Sequence, residues 1–117
     1  MPYEYAAIAP NASLVFTAGA CPLDLDGNVV APGDCEAQAV KALDNLFIAL
    51  AACGCGPEAV LKTTIYVVPA EPSDLARVWG IVAGTFAPVR PPSTLLGVVS
   101  LGYPNQLVEI EAVAVAR

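Results

Sequence analysis

The sequence predicts an α+β sandwich in which one mixed β-sheet carries two helices on one face. Strand-like and helical patterns follow one another in the order β-β-β-α-β-α-β-β over 117 residues, a length typical of one domain. The last strand, residues 107–115, has only apolar residues at its even positions, so one whole face of it is expected to lie against a core. Residues 1–117 are therefore predicted to form a single domain.

The N-terminal part of the chain predicts a small antiparallel meander. Residues 3–9 and 14–18 are short apolar runs joined by a Pro-Asn-Ala-Ser segment at 10–13, which is a hairpin signal. The Asp-Gly pair at 26–27 favours a tight turn. It leads to a short predicted strand at residues 29–30.

A first helix is predicted from Asp34 to about Cys53. Asp34 is a suitable N-cap, and Glu36 falls in the first turn, where the helix dipole favours an acid. The helix is apolar except for one stripe at helical spacing, so most of it should be buried. That stripe consists of Gln38, Lys41 and Asn45. The β-branched run at 61–68 then predicts a central strand.

A second helix is predicted over residues 72–86. Pro72 suits the first turn, and either Glu71 or Ser73 supplies the cap. Gly80 and Gly84 lie one turn apart inside this helix. They either let the helix approach the sheet closely or are simply tolerated, at about 1 kcal/mol each against alanine.

Residues 94–101 and 107–115 are predicted to form a hairpin that is apolar on both faces. The odd positions of the second strand include Glu109 and Glu111 between apolar neighbours, where a carboxylate is either solvated or buried with partners. One layer of helices covers one face only, so another subunit is predicted to cover the other. The composition also favours an oligomer, because 56% of the residues are hydrophobic and only 14% are charged.

The composition argues against several classes of protein. The net charge is −6 and the five basic residues do not cluster, so nucleic-acid binding is disfavoured. No apolar run reaches the roughly 18 residues that span a bilayer, and the first residues lack the pattern of a signal peptide. We therefore expect a cytoplasmic protein with no membrane partner.

The chain contains no histidine, which removes the commonest general base and the commonest metal ligand. Its four cysteines are Cys21, Cys35, Cys53 and Cys55. Their spacing matches no zinc pattern. They are predicted to be reduced and mostly buried thiols, with no metal site.

Six motifs, spread over the whole chain in the same order, resemble the Rid family, also called YjgF or L-PSP. They are Tyr3 and residues 16–24, 37–46, 60–67, 91–94 and 108–112. The resemblance implies a chorismate-mutase-like fold and a homotrimer whose three sheets form a central barrel, with small-molecule clefts between subunits. The predicted need for a second cover on the sheet agrees with such an assembly.

Active members of that family hydrolyse reactive enamines and imines, such as 2-aminoacrylate or 2-iminopropanoate, to a keto acid and ammonia without a cofactor. The resemblance places the glutamate that positions the hydrolytic water at Glu109 and the cleft glycine at Gly19. It places the cleft tyrosine at Tyr3, with Tyr5 as the alternative. The other interpretation of Glu109 is a structural carboxylate satisfied by water or backbone.

In the family, an arginine in a Pro-Ala-Arg-Ser/Thr motif clamps the substrate carboxylate, a bidentate task suited to guanidinium. Ser93 stands in its place in the matching run Pro91-Pro92-Ser93-Thr94. Arg90 either swings into the cleft instead or forms a surface salt bridge. The predicted substrate-binding residues are Tyr3, Gly19, Cys21, Arg90, Ser93 and Thr94.

Two functions follow from these predictions. The first is hydrolysis of a neutral or bulkier imine or enamine, because Ser93 offers only a neutral hydroxyl and the net charge is −6. The alternative is a catalytically silent trimer that binds a small molecule or a partner protein. Cys21 has no neighbouring base in the sequence, so it is interpreted as a wall of the cleft rather than a nucleophile.

Overall fold

The computed structural model describes residues 11–116 of the chain. Its helices and strands are β1 (Ser13–Phe16), α1 (Cys35–Ala52), β2 (Val60–Val67), α2 (Ser73–Phe86), β3 (Ser93–Gly97) and β4 (Val108–Ala116), with a short 3-10 turn at Pro57–Ala59. Within these residues the four strands form one sheet in the order β1-β4-β2-β3. Strand β4 is antiparallel to β1 and β2, whereas β2 and β3 are parallel, so the predicted mixed α+β sheet is confirmed.

Helix α1 begins and ends as predicted. The Asp34 carboxylate accepts a hydrogen bond of 3.0 Å from the Ala37 backbone N–H, which satisfies one of the free donors of the first turn. Gly54 follows the helix with φ of +74°, a left-handed conformation that stops it. The buried residues of α1 are Cys35, Gln38, Ala39, Ala42, Leu43, Leu46 and Leu50.

Gln38, predicted as part of a polar stripe, is fully buried. Its Nε2 donates to the Asn105 carbonyl at 2.9 Å, and its Oε1 accepts from the Leu107 N–H at 2.7 Å. A buried amide that is bonded on both sides fixes the backbone it touches. Gln38 therefore ties the segment before β4 to α1.

Helix α2 has no side-chain cap, contrary to the prediction. Neither Glu71 nor Ser73 caps it, and the residue at the N-cap position is Pro72, which makes no side-chain cap bond. Instead, the Asp74 carboxylate folds back and accepts from the N–H groups of Ala70 and Glu71 at 2.9 and 3.3 Å. These two donors precede the helix, so Asp74 holds the turn that leads into α2 and does not bind the free N–H groups of its first turn.

Gly80 and Gly84 are exposed on α2. A Cβ built at either position meets no atom within 4 Å. The helix does not use them for close approach to the sheet, so of the two interpretations the structure supports simple tolerance.

The predicted hairpin of residues 94–101 and 107–115 is wrong. Strand β3 ends at Gly97 and pairs in parallel with β2, while β4 lies on the other side of β2. Parallel neighbours need a crossover connection, and α2 supplies it between β2 and β3. Strand β4 then pairs with the other edge of β2.

The predicted meander is only partly present. Strand β1 is confirmed at Ser13–Phe16, but it pairs with β4, and residues 3–9 lie outside the described residues. Residues 29–30 form no strand, because the only pairing there is an isolated bridge between Leu23 and Val29. The Asp-Gly turn itself is present, with the Asp24 carboxylate accepting from Asn28 at 2.9 Å.

One face of the sheet packs against both helices and forms the core. The even positions of β4, predicted to face a core, are all buried; they are Val108, Ile110, Ala112 and Ala114. The opposite face, which we call the open face, carries Phe16 and Leu14, which are 72% and 51% exposed in the single chain. Among residues 11–116 no helix is long and apolar enough to cross a membrane.

Candidate functional site

Glu109 lies half-buried on β4, with one carboxylate oxygen held by two donors. The Gln106 Nε2 donates to Oε1 at 3.1 Å, and the Cys21 Sγ donates to the same atom at 3.3 Å. Among the described residues, Oε2 accepts no hydrogen bond. The carboxylate is therefore fixed in position through Oε1, and Oε2 remains able to accept a hydrogen bond or a proton.

Gly19 provides the space that this carboxylate occupies. A Cβ at position 19 would lie 2.6 Å from the Glu109 Cδ and 2.8 Å from its Cγ, distances that real Cβ atoms do not adopt. The sequence-predicted residues Gly19, Cys21 and Glu109 are thus brought together by the fold.

Backbone pairing places residues 19–21, which we call the Gly19 segment, beside β4. The Ala20 N–H donates to the Ile110 carbonyl at 2.7 Å, and the Ile110 N–H donates back at 3.1 Å. From α1, the Asn45 Nδ2 donates to the carbonyls of Cys21 and Leu23 at 2.8 and 3.0 Å. Helix and sheet therefore both hold the turn that faces Glu109.

The Cys21 thiol is a hydrogen-bond donor at neutral pH. Burial, followed by the hydrogen bond and the charge of Glu109, raises the pKa of Cys21 to about 11. A thiol in that state is a weak nucleophile. The position of Cys21 agrees with its interpretation as a wall of the site.

Gln106 is a site residue that the sequence reasoning missed. Its side chain is buried, and its Oε1 accepts from the Tyr103 N–H at 3.1 Å. Its Nε2 donates to the Val108 carbonyl at 3.1 Å as well as to Glu109. The available signal was only a polar residue directly before an apolar strand, which loops commonly contain.

Ser93 does not meet Glu109 within one chain. Its Oγ lies 2.5 Å from the Thr63 Oγ1 and donates to the Pro91 carbonyl at 3.1 Å. Thr63 is fully buried, and strand β2 separates β3 from β4. The Ser93 hydroxyl is therefore already engaged by protein atoms.

Thr94, the next residue, faces the open side of the sheet and is bonded to a cation. The Lys62 Nζ donates to the Thr94 Oγ1 at 2.5 Å. Arg90 is exposed in the segment between α2 and β3. Tyr3, the remaining predicted residue, lies outside the described residues, as does its alternative Tyr5.

A second carboxylate, Glu111, lies on the open face beside Glu109 and is paired with a tyrosine. The Tyr66 hydroxyl donates to the Glu111 Oε1 at 2.5 Å. This hydrogen bond, with burial next in importance, raises the pKa of Tyr66. Glu111 therefore has a partner of its own, one of the two possibilities that its apolar neighbours left open.

The described part of the chain contains no group of three or more His, Cys, Asp or Glu side chains placed to hold a metal ion. The four cysteines are unpaired. Cys35 and Cys55 are buried, Cys21 is half-buried and Cys53 is exposed. Only Cys21 lies in the candidate site.

Comparisons with known proteins agree over nearly the whole chain. The family model described as endoribonuclease L-PSP matches residues 1–116. A RutC family protein of Synechocystis is 37% identical over 115 residues, which cover 97% of this chain and 85% of that protein.

Two solved structures have the same fold. A Rid-family protein of unknown function from Yersinia pestis is 28% identical, with a TM-score of 0.91 over 98% of this chain and 87% of that one. Escherichia coli TdcF, solved with bound serine, is 25% identical, with a TM-score of 0.79 over 100% of this chain and 96% of that one. The family match over almost every residue and the shared architecture lead to one conclusion: this chain belongs to the Rid (YjgF, L-PSP) family.

Proposed function

We propose that this protein is a homotrimeric hydrolase of imines or enamines, with Glu109 as the group that accepts a proton from the attacking water. The observation that carries the proposal is the Glu109 carboxylate, fixed through Oε1 with Oε2 turned toward Gly19. A positioned carboxylate of this kind suits general base catalysis.

The reaction needs only water and one proton acceptor. Water adds through its oxygen to the carbon of the protonated imine, the carbon–nitrogen π pair moves to the nitrogen, and Glu109 takes one water proton, which gives a neutral carbinolamine. Glu109 then returns that proton to the nitrogen. The carbon–nitrogen bond breaks, the hydroxyl proton passes to Glu109, and the products are a carbonyl compound and ammonia; Glu109 finally releases the proton to solvent, where ammonia takes it up. An enamine enters the same route after protonation at carbon gives its protonated imine.

The open face of the sheet supports the trimer. Phe16 and Leu14 are 72% and 51% exposed there, and Leu96 is 43% exposed, which is costly to leave in water. Ser93 and Thr94 on β3 are separated from Glu109 on β4 by a whole strand. A cleft that uses both groups would take them from different subunits.

The environment of Ser93 favours a substrate without a carboxylate. Its hydroxyl is bonded to Thr63 and Pro91, and a neutral hydroxyl gives about half the stabilisation of a charge-assisted hydrogen bond. The net charge of −6 also repels anions. We therefore infer that the substrate is a neutral or larger imine or enamine, rather than a 2-imino acid.

The proposal is tested by hydrolysis of imines generated in situ. An amine oxidase supplies neutral imines and an amino-acid oxidase supplies 2-imino acids, and ammonia release is followed with Glu109→Gln and, as the matched control, Glu111→Gln. We expect turnover of neutral imines that is lost only in Glu109→Gln. Equal activity of wild type and Glu109→Gln would show that Glu109 is structural.

Ser93→Arg and Arg90→Ala separate the substrate classes. We expect Ser93→Arg to gain activity on 2-imino acids, because it restores a cation at the position of the family arginine. Strong wild-type activity on 2-imino acids that survives Arg90→Ala would contradict the inferred substrate class. Loss of such activity in Arg90→Ala would instead assign the carboxylate clamp to Arg90.

The second candidate function is a catalytically silent trimer that binds a small molecule or a partner protein. The engaged hydroxyl of Ser93 favours it, because that position has lost the family's substrate anchor. Absence of turnover on every imine class, together with a ligand that raises the melting temperature, would support this alternative. The acidic charge and the absence of histidine argue against RNA cleavage, which the name of the family model suggests.

A further inference from the structure

We propose that Gln106 and Cys21 are positioning residues that act as a pair on the Oε1 atom of Glu109, so that Oε2 alone serves as the proton acceptor. This inference rests on the proposed function for its catalytic consequence. The geometry itself does not depend on that function.

Both donors reach the same oxygen from different parts of the chain. Gln106 precedes β4, and its Nε2 lies 3.1 Å from Oε1, while the Cys21 Sγ approaches from the Gly19 segment at 3.3 Å. The opposite oxygen faces the space left by Gly19. Two donors on one atom and none on the other, among the described residues, make the carboxylate asymmetric.

Each donor is itself held in place. The Gln106 amide cannot flip without losing two hydrogen bonds, because its Oε1 accepts from the Tyr103 N–H and its Nε2 also donates to the Val108 carbonyl. The Cys21 backbone is bonded through its carbonyl to Asn45 of α1. Rigid donors of this kind fix both the position of a carboxylate and which of its oxygens remains open.

The asymmetry has a chemical consequence. Because both donors occupy Oε1, Oε2 is the oxygen positioned to take a proton from the attacking water. Because the Cys21 thiol keeps its own proton at neutral pH, it donates throughout the physiological range. The titratable groups near Glu109 in the described residues are Cys21, Tyr66 opposite it on β2, and Glu111, to which Tyr66 is bonded.

The decisive measurement is the carbon-13 chemical shift of the Glu109 carboxyl carbon at neutral pH, in protein labelled at glutamate side chains and with the signal assigned from Glu109→Gln. Cys21→Ala and Gln106→Leu each remove a donor, whereas Cys21→Ser keeps one. Cys55→Ala removes a buried thiol that is bonded to the Val115 carbonyl instead, and it serves as the matched control.

We expect the Glu109 signal to move in Cys21→Ala and Gln106→Leu, because each variant removes one donor to Oε1. It should stay near its wild-type position in Cys21→Ser and Cys55→Ala. In turnover assays kcat should fall about ten-fold or more in Cys21→Ala and Gln106→Leu, with KM nearly constant.

An unchanged Glu109 chemical shift in folded Cys21→Ala and Gln106→Leu would overturn the proposal. If Gln106→Leu fails to fold, the comparison of Cys21→Ala with Cys21→Ser decides by itself. If the wild type hydrolyses no imine, the proposed function fails, while the NMR measurement still confirms or refutes the positioning pair.

Discussion

The carboxylate of Glu109 occupies the volume that a side chain at position 19 would fill, since a Cβ on Gly19 would lie 2.6 Å from its Cδ. The relationship joins a strand residue to a residue 90 positions earlier in the chain. The backbone conformation does not require a glycine at position 19, because Gly19 does not adopt a left-handed φ. Its role is to make room.

Gly19→Ala is therefore expected to displace Glu109 and to destabilise the protein by about 1–3 kcal/mol, the usual cost of overpacking. The rate of imine hydrolysis should fall even under conditions in which the variant remains folded. Gly84→Ala is the control, because its Cβ meets no atom within 4 Å and alanine stabilises an exposed helix by about 1 kcal/mol. Thermal unfolding and turnover of both variants check the prediction, and full activity of Gly19→Ala would contradict it.

The exposed apolar residues of the open face predict a trimer that a charged residue placed on this face would disrupt. Sedimentation of the wild type at micromolar concentration should give a trimer, and Phe16→Glu should shift it toward the monomer, because a buried carboxylate without a partner is costly. Ile48, 67% exposed on α1, gives the control variant Ile48→Glu, which should remain trimeric. A monomeric wild type would refute both the trimer and the shared cleft.

Asp74 should make stability depend on pH in a defined direction. Its hydrogen bond from the Ala70 N–H, with further bonds from Glu71 and Arg77, lowers its pKa. A carboxyl whose folded pKa is depressed stabilises the fold above its unfolded pKa and loses that contribution as pH falls through the folded pKa.

Asp74→Asn should thus be less stable than the wild type at neutral pH, with the difference shrinking at pH values below the ordinary pKa of 3.8. Urea unfolding at one protein concentration measures it. Asp44→Asn, on the exposed side of α1, controls for the loss of one negative charge. A difference that stays constant down to low pH would show that the Asp74 charge is not what stabilises α2.

The pKa of Cys21, raised to about 11 by burial and by Glu109, predicts its reactivity. Alkylation at pH 8 should modify exposed Cys53 quickly and Cys21 slowly, because only the thiolate reacts. Glu109→Gln removes the neighbouring charge and should speed the modification of Cys21 while that of Cys53 stays constant. Mass spectrometry of the alkylated peptides gives both rates, and rapid modification of Cys21 in the wild type would contradict its raised pKa.

Local patterns in the sequence were sufficient for most of the elements. Asp34 marks the start of α1 because a cap satisfies donors within its own turn. The alternation along residues 108–114 predicts which face of β4 is buried, because side chains of a strand alternate between faces. Gly19, Cys21 and Glu109 were found through the family motifs that surround them.

The remaining features depend on contacts between residues far apart in the chain. Strand β3 joins β2 instead of β4 because the crossover helix α2 connects β2 to β3. Helix α2 has no side-chain cap, and Asp74 instead binds the turn before it. Gln106 could be identified as a site residue only from the fold, which places its amide nitrogen 3.1 Å from the Glu109 Oε1. The engagement of Ser93 by Thr63 likewise follows from strand register.

The sequence by itself thus determined the helices, the buried face of β4 and the residue types available for chemistry, since each depends on turns and periodicity of a few residues. Only the tertiary structure decided which strands are neighbours, which oxygen of Glu109 is held, and that the Ser93 hydroxyl is already bonded. The physical reason is that hydrogen bonds and packing between distant segments are selected by the whole fold, and no local pattern records them.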